Sequence, residues 1–323
     1  MAPGSQAKPS VSPPVDTAPE RPEPAGSGAA AGSGAAAVPA WPPVLVAEDL
    51  LARGVVAAFS GRAGARGTPP YDGLNLGLHV GDDLRTVLRN RRRLATVLGL
   101  AGLPWATVRQ VHSARVVEAS RGRLGPGPPE ARPALAEADG LVSGEAGMVL
   151  AVLMADCLPV LLADPDAAVV AAVHAGWRGL VSGAIEQGVA AFARRGGRPA
   201  STIALIGPAI GACCYEVGPE VAGAVVQRYP AAVATTRDGR LAIDTTAAAV
   251  EALERAGIGE VRHPSGECTC HQPARFFSYR RDGVTGRQAG LIALVGPARA
   301  EAAEAAEAAG AAEGAEAAEG AGP

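Results

Sequence analysis

Three well-separated stretches of this chain carry side chains that bind soft metal ions. Val111-His112-Ser113 follows Arg109-Gln110, Ala155-Asp156-Cys157 ends one apolar run, and His174-Ala175-Gly176-Trp177-Arg178 ends another. Two imidazoles and a thiolate are a common protein ligand set for zinc with its fourth position open. Each stretch follows a short run that reads as a strand, so His112, Cys157 and His174 can point into one pocket. Singly they say little, because a lone buried Cys is usually a small hydrophobe and a lone His is usually structural. Context adds weight: Asp156 puts a charge at the end of a buried strand and Pro159 fixes the backbone just beyond, as at a pocket rim. Asp156 is then placed either to orient a ligand imidazole or to serve as a turn or cap carboxylate. The set favours a metal-dependent enzyme over a plain binding module.

A second chemistry lies next to the first. Gly176-Trp177-Arg178-Gly179 sits where strand turns into helix, so free N–H groups and the Arg178 guanidinium could hold an anion such as phosphate beside His174. The equal alternative is a tight turn with a solvent-facing arginine. Gly207-Pro208-Ala209-Ile210-Gly211 is a weaker loop signal. Cys157 also permits a different enzyme, an amide hydrolase with a thiolate nucleophile and His174 or His112 as its base. Cys213-Cys214 and Cys268-Thr269-Cys270 lack the two-residue spacing of zinc knuckles, which argues against structural zinc there.

The elements that must position these residues are mostly short strands. Val55–Phe59, Thr107–Val111, Gly140–Ser143, Met148–Met154, Pro159–Ala163, Ala168–Val173, Ile203–Ile206, Phe276–Arg280 and Leu291–Val295 read as β, and another strand begins at Val116-Val117. The central runs are almost continuously apolar, which predicts strands buried on both faces. Helical periodicity covers Leu84–Leu98 behind Asp82-Asp83, Trp177–Arg195, Gly218–Tyr229 and Thr245–Ala256. Gly61–Gly77 and Gly122–Pro133 read as loops, Asp164-Pro165-Asp166 as a turn, and Arg89 with Arg91-Arg92-Arg93 as a solvated helix face. Helices fall between groups of strands without strict alternation, which favours α+β over a doubly wound sheet.

Composition bounds the rest. Residues 1–45 form a Pro/Ala/Gly-rich segment expected to be disordered, and 299–323 an Ala/Glu/Gly low-complexity tail that could at most form a fraying helix. Between them, 46–298 is enough for one catalytic domain. The start lacks the features of a signal peptide, and no apolar run approaches the ~18 residues of a spanning helix, so the expectation is a cytoplasmic protein without a membrane partner. Five cysteines, an odd number, fit a reducing compartment. The net charge of −3 includes six glutamates of the tail, and Lys8 is the only lysine. No basic, aromatic-interleaved stripe marks nucleic-acid binding, and nothing in the sequence points to a protein partner.

Longer matches identify a resemblance. Leu74-Asn75-Leu76-Gly77 with His79-Val80-Gly81-Asp82-Asp83, Asn90-Arg91, Gln110-Val111-His112, Ala138-Asp139-Gly140, Ala155–Val160, His174–Gly179, Ile206–Ile210, Cys214–Gly218, Phe277–Arg280 and Thr285-Gly286-Arg287 span nearly the whole folded part. Together they resemble the widespread bacterial family related to the human laccase-domain-containing protein. That family was long labelled multicopper polyphenol oxidase, is now described as purine nucleoside phosphorylase, and is also called the peptidoglycan editing factor family. The resemblance implies a single-domain α+β fold, a layered α/β/β/α sandwich with mixed sheets. It implies Zn2+ held by His112, Cys157 and His174, which would also be the catalytic residues. It further implies phosphorolysis of adenosine, inosine and methylthioadenosine, with adenosine deamination as a side activity. Arg62, Asn75 and Arg178 are the candidates for holding substrate or phosphate. The family's Gly-Gly-Val-Ser loop is absent, since Arg62 is followed by Ala63-Gly64-Ala65-Arg66-Gly67.

The residues weigh against the older oxidase label. A laccase needs a blue-copper site and a multinuclear cluster built largely from imidazole, and this chain has five histidines and no His-x-His pair. Copper, as Cu2+, still competes with zinc for a single N/S set, since it outranks zinc in affinity.

Overall fold

Strands that are apolar at every position need cover on both faces, and the computed structural model supplies it with two stacked sheets between helices. It describes residues 44–65, 67–263 and 267–296, all within one compact unit. The segment expected over 1–45 and the tail expected over 299–323 lie outside the described residues, except for Val44 and Leu45, which open the first strand.

The first sheet has five strands in the order β1 (Val44–Val46), β2 (Val55–Ser60), β13 (Gln288–Leu294), β6 (Val149–Met154) and β3 (Trp105–Ala106). The second has six: β12 (Glu260–Arg262), β9 (Ile203–Ile206), β7 (Leu158–Asp164), β8 (Val169–Ala175), β5 (Gly140–Ser143) and β4 (Val116–Glu118). β10 (Val233–Thr235) and β11 (Leu241–Ile243) form a separate ribbon. Both large sheets are mixed: β3–β6, β4–β5 and β12–β9 pair parallel, and the other pairs are antiparallel.

Alternation within each strand builds three cores. In β6, Leu150, Val152 and Met154 meet Leu161, Ala163, Val170 and Ala172 of the second sheet, while Val149, Ala151 and Leu153 face outward. That outer face packs on Leu94, Ala95 and Leu98, from or just after helix α2 (Leu84–Val97). Beyond the second sheet, Leu158, Val160, Leu162 and Val173 pack against α4 (Ala184–Arg194), α5 (Pro219–Arg228) and α6 (Thr245–Arg255). The layers therefore run helix, sheet, sheet, helix, as expected. The remaining helices are short: α1 (Glu48–Leu51), α3 (Trp177–Val181) and α7 (Tyr279–Asp282). No helix among the described residues is long and apolar enough to cross a membrane.

Four local expectations need correcting. The helix expected over Trp177–Arg195 is broken into α3 and α4 by Gly183, whose φ of 83° is left-handed. Phe276–Arg280 is not a strand: Phe276 and Phe277 are buried, but the side chain of Gln288 bonds both backbone groups of Phe277 in place of a partner strand. Thr107–Val111 is likewise not a strand beyond an isolated bridge at Arg109, because the Gln110 amide pairs with the backbone of Leu153 at both its ends. Arg91 does not lie on a solvated face but is 2% exposed. It donates to the carbonyls of Leu76 and Glu130 and stacks over Trp105, and burial pushes its pKa down to about 10, still charged at neutral pH.

Gly207, just after β9, shows how closely the two sheets approach. A Cβ there would lie 2.3 Å from the ring of Phe59 on β2 and 2.7 Å from Pro159 on β7. Gly207→Ala is therefore expected to lower stability by about 1–3 kcal/mol. Urea unfolding should show a lower midpoint with an unchanged slope, and an unchanged midpoint would mean that the sheets leave slack at that point.

Candidate metal centre

Three strand ends of the second sheet meet at one edge, and register places the chemistry there. β7 and β8 pair antiparallel with Leu158 opposite Ala175 and Pro159 opposite His174, so Cys157, just before β7, comes beside the end of β8. β5 flanks β8 on its other side with Gly140 opposite Val173, and the His174 N–H donates to the Asp139 carbonyl at 2.7 Å. Asp139 thus reaches the same edge. The loop bearing His112 belongs to no strand and is held by a side chain instead.

That side chain is Asp139, which is 1% exposed. Its carboxylate accepts from the backbone N–H groups of Val111, His112 and Ser113 at 3.3, 3.0 and 2.6 Å, and from Ser113 Oγ at 2.8 Å. Three successive N–H groups on one anion need a left-handed residue among them, and His112 supplies it with φ 59°. The same carboxylate lies 3.0 Å from His174 Nδ1. Burial alone would raise the Asp139 pKa, but the bonds from His174 and Ser113 outweigh it and hold the carboxyl at about 2. An ionised carboxylate can only accept, so Nδ1 of His174 carries a proton whatever the charge of the ring, and Nε2 is the nitrogen left for the Cys157 side.

His112, Cys157 and His174 come together with their ligand atoms all within 4.8 Å of one another. Cys157 Sγ lies 3.7 Å from His112 Nε2, and the two imidazole rings stand edge to face at 5.1 Å. The three are graded in burial, with His174 buried, Cys157 half-buried and His112 exposed, so the set opens outward. Gly176 makes the approach possible: a Cβ there would sit 2.8 Å from His112 Cδ2 and 3.1 Å from Cys157 Sγ. This donor set fits a single zinc ion, with two nitrogens, one sulfur, a carboxylate fixing one imidazole and an open side. Burial pushes the Cys157 thiol up, yet the charge of His174 and hydrogen bonds to both imidazoles hold it at about 6. His174 is driven down by burial, but the Cys157 thiolate and Asp139 prevail and raise it to about 9.

Asp156 takes the other role foreseen for it. Its carboxylate touches no imidazole but accepts from Thr269 Oγ1 and from the Arg280 N–H in the first turn of α7, both at 2.6 Å, and so acts as a cap carboxylate. Asp156 itself is left-handed at φ 92°, where the chain crosses from β6 in one sheet to β7 in the other. The Asp139 role was missed from sequence; the available signal was an acid directly preceding an apolar strand.

The three substrate candidates are distributed unequally. Arg178 lies in the first turn of α3, exposed, with its guanidinium 4.4 Å over Trp177. Arg62 is committed to Asp72, bonding its carbonyl and carboxylate, and to the Pro273 carbonyl. Asn75 is fully buried, donating to Asp82 and accepting from the N–H groups of Gly77 and Arg287. Two residues not singled out from sequence also belong to the surroundings. Arg287 is partly buried and feels the charges of Cys157 and Asp156. Burial raises the pKa of the Tyr215 phenol, and the Cys157 and Asp156 charges add to it against Arg280 and Arg178.

Comparison with known proteins places this geometry. Residues 56–295 match the family described as multi-copper polyphenol oxidoreductase laccase. A purine nucleoside phosphorylase of Streptomyces coelicolor is 43% identical over 238 residues, covering 73% of this chain and 94% of that protein. The purine nucleoside phosphorylase YfiH of Escherichia coli is 38% identical over 261 residues, 80% of this chain and 98% of that protein. Among solved structures, YlmD from Geobacillus stearothermophilus superposes with a TM-score of 0.70 at 35% identity, covering 76% of this chain and 94% of that one.

The hydrogen bond between Asp139 and His174 has a measurable consequence. In metal-free protein, alkylation of Cys157, followed peptide by peptide, should rise with pH through a midpoint near 6, because the thiolate is populated above that value and lost below it. Asp139→Asn removes the charge that keeps His174 protonated, and should move the midpoint up by about one unit, the worth of a charge-assisted hydrogen bond. An unmoved midpoint would show that Asp139 does not act on Cys157 through His174.

Proposed function

This chain belongs to the multi-copper polyphenol oxidoreductase laccase family, and from its site and its relatives we propose a zinc-dependent purine nucleoside phosphorylase. Its substrates are adenosine, inosine and methylthioadenosine, cleaved by phosphate to the free base and ribose 1-phosphate or methylthioribose 1-phosphate, with adenosine deamination as a side activity. The observation that carries the reading is the convergence of His112, Cys157 and His174 on one open-sided point, with His174 oriented by Asp139. The relatives' names supply the reaction class.

His112, Cys157 and His174 would hold the metal, which when bound supplies a Lewis-acid charge and organises the pocket. Phosphate needs positive charge and hydrogen-bond donors. Arg178, exposed in the first turn of α3, brings a guanidinium to the mouth of the site, and Arg287 adds charge from the side. Arg62 and Asn75, with their hydrogen bonds turned inward, serve by holding the loop through Asp72 to Asp82 in place. Tyr215 offers an aromatic face with Arg280 at 5.0 Å behind it, suited to a purine ring. Reduced cysteines fit a cytoplasmic location. Cu2+ is the competitor for the same three ligands, and a polyphenol oxidase would need further imidazoles that five histidines do not provide.

One observation favours a second reading. Without metal, Cys157 and His174 form a thiolate–imidazolium pair backed by Asp139, the arrangement of a cysteine nucleophile, its base and an orienting carboxylate. That arrangement would suit an amide hydrolase editing peptidoglycan precursors. A nucleophilic thiolate cannot also be a permanent metal ligand, so full activity after chelation would select this reading.

For the leading reading, Cys157→Ser should lose zinc and adenosine cleavage together, since a hydroxyl is a poor substitute for a thiolate. Arg178→Ala should keep its zinc and raise the KM for phosphate roughly 10- to 100-fold, the cost of a charge-assisted hydrogen bond. Steady-state turnover across a phosphate series, beside metal analysis, measures both. Cleavage that proceeds equally well without phosphate would exclude phosphorolysis, and a zinc-free Cys157→Ser protein with full activity would remove the metal from the reaction.

A further inference from the structure

The remaining cysteines gather in a second cluster. Cys213 and Cys214 lie on the turn after β9, and Cys268 and His271 on the turn that precedes Phe276. Their four ligand atoms all fall within 4.8 Å of one another. Cys213 Sγ is 4.0 Å from Cys214 Sγ, and His271 Nδ1 is 3.4 and 3.7 Å from the two sulfurs. A tetrahedral zinc with bonds of about 2.3 Å to sulfur and 2.0–2.1 Å to nitrogen has S···S edges of about 3.8 Å and S···N edges of about 3.6 Å. The three edges among Cys213, Cys214 and His271 differ from these values by roughly 0.2 Å or less, and those to Cys268 stay within 4.8 Å.

From this match we propose that Cys213, Cys214, Cys268 and His271 hold a structural zinc ion, separate from the His112–Cys157–His174 centre. Cys268 and Cys270 stand one residue apart, without the spacing of a zinc knuckle. The partner of Cys268 is His271, which restores two intervening residues, and the His271 and Gln272 N–H groups both fold back onto the Cys268 carbonyl to form the turn. Cys268 is 5% exposed, and its sulfur accepts the Gly211 N–H at 3.3 Å, which anchors and orients a thiolate ligand. Four protein ligands leave no open position, which is the mark of a structural rather than a catalytic zinc.

Such an ion would tie together two loops more than fifty residues apart in sequence. Between them the Thr269 N–H donates to the Ala209 carbonyl at 3.0 Å, and the Ile210 N–H to the Asp156 carbonyl at 2.9 Å. Thr269 Oγ1 also bonds the Asp156 carboxylate, next to Cys157. The second zinc thus secures the loops that hold Asp156, and through it the residue before the thiol of the first centre.

The test counts metal in the full chain with the first centre disabled. Cys157→Ser protein, purified without added metal, is expected to retain one zinc per chain. It should also take up Co2+ with tetrahedral visible bands and strong thiolate charge transfer. Adding His271→Ala or Cys268→Ser should remove that metal; His271→Ala covers the case in which the buried Cys268 variant fails to fold. In wild-type protein Cys213, Cys214 and Cys268 should resist alkylation until a chelator is added, while Cys270 reacts alike with and without it. Because zinc is scored without Cys157, the result is independent of whether the first centre binds metal or performs phosphorolysis. A Cys157→Ser protein without zinc or cobalt overturns the proposal. So does retained metal that survives both second-site variants, or a disulfide among the three thiols of the site in freshly purified protein.

Discussion

The buried carboxylate of Asp139 holds the centre together, because it joins the loop of His112 to His174, which no strand pairing joins. A charge removed from water must be compensated, and Asp139 is compensated by three backbone N–H groups, a hydroxyl and an imidazole. Those partners are the loop of His112 and the ring of His174. Satisfying the carboxylate therefore fixes one ligand's backbone and the other's tautomer in the same act. The left-handed backbone of His112 is stable because the carboxylate pulls three successive N–H groups to one side.

The stacked sheets supply what Asp139 cannot. Cys157 stands where the chain crosses from β6 to β7, and its position follows from the pairing of β7 with β8. Rigidity comes from strands buried on both faces and from Gly207, which lets Phe59 and Pro159 close the space between sheets. Against this scaffold, the segments around the site are irregular and held by side chains: Gln110 on Leu153, Gln288 on Phe277, Asp156 on Thr269 and Arg280. Irregular backbone carried on a rigid frame is where binding residues are usually found.

The family description names a copper oxidoreductase, whereas the relatives are named phosphorylases. Among the described residues, two groups of His and Cys could hold a metal, one with two imidazoles and one with a single imidazole among three thiols. Neither resembles the imidazole-rich multinuclear cluster that four-electron chemistry requires. The charge at Cys157 is set by the two imidazoles, while Arg287 feels the thiolate and Arg280 and Arg178 act on the neighbouring Tyr215 phenol.

Much of this protein was legible from its sequence. Continuous apolar runs such as Val149–Met154 and Leu158–Asp164 announced two-sided burial, hence a layered sandwich, because only stacked layers cover both faces of a strand. Residue type, the strand-end position of each stretch and the family resemblance together brought His112, Cys157 and His174 forward as one candidate set, since few side chains bind soft metals. Tertiary structure decided which carboxylate serves them. Asp156 is next to the cysteine in sequence and turns away to cap α7, while Asp139 lies 35 residues from His174 and bonds it. It also decided that Arg91 is buried, that Phe276–Phe277 needs no partner strand, and that Cys268 meets His271 opposite Cys213 and Cys214. Local sequence encodes periodicity and donor chemistry, which act over a few residues. The partner of a buried charge or thiol is chosen by strand register and loop closure, which bring together residues far apart along the chain.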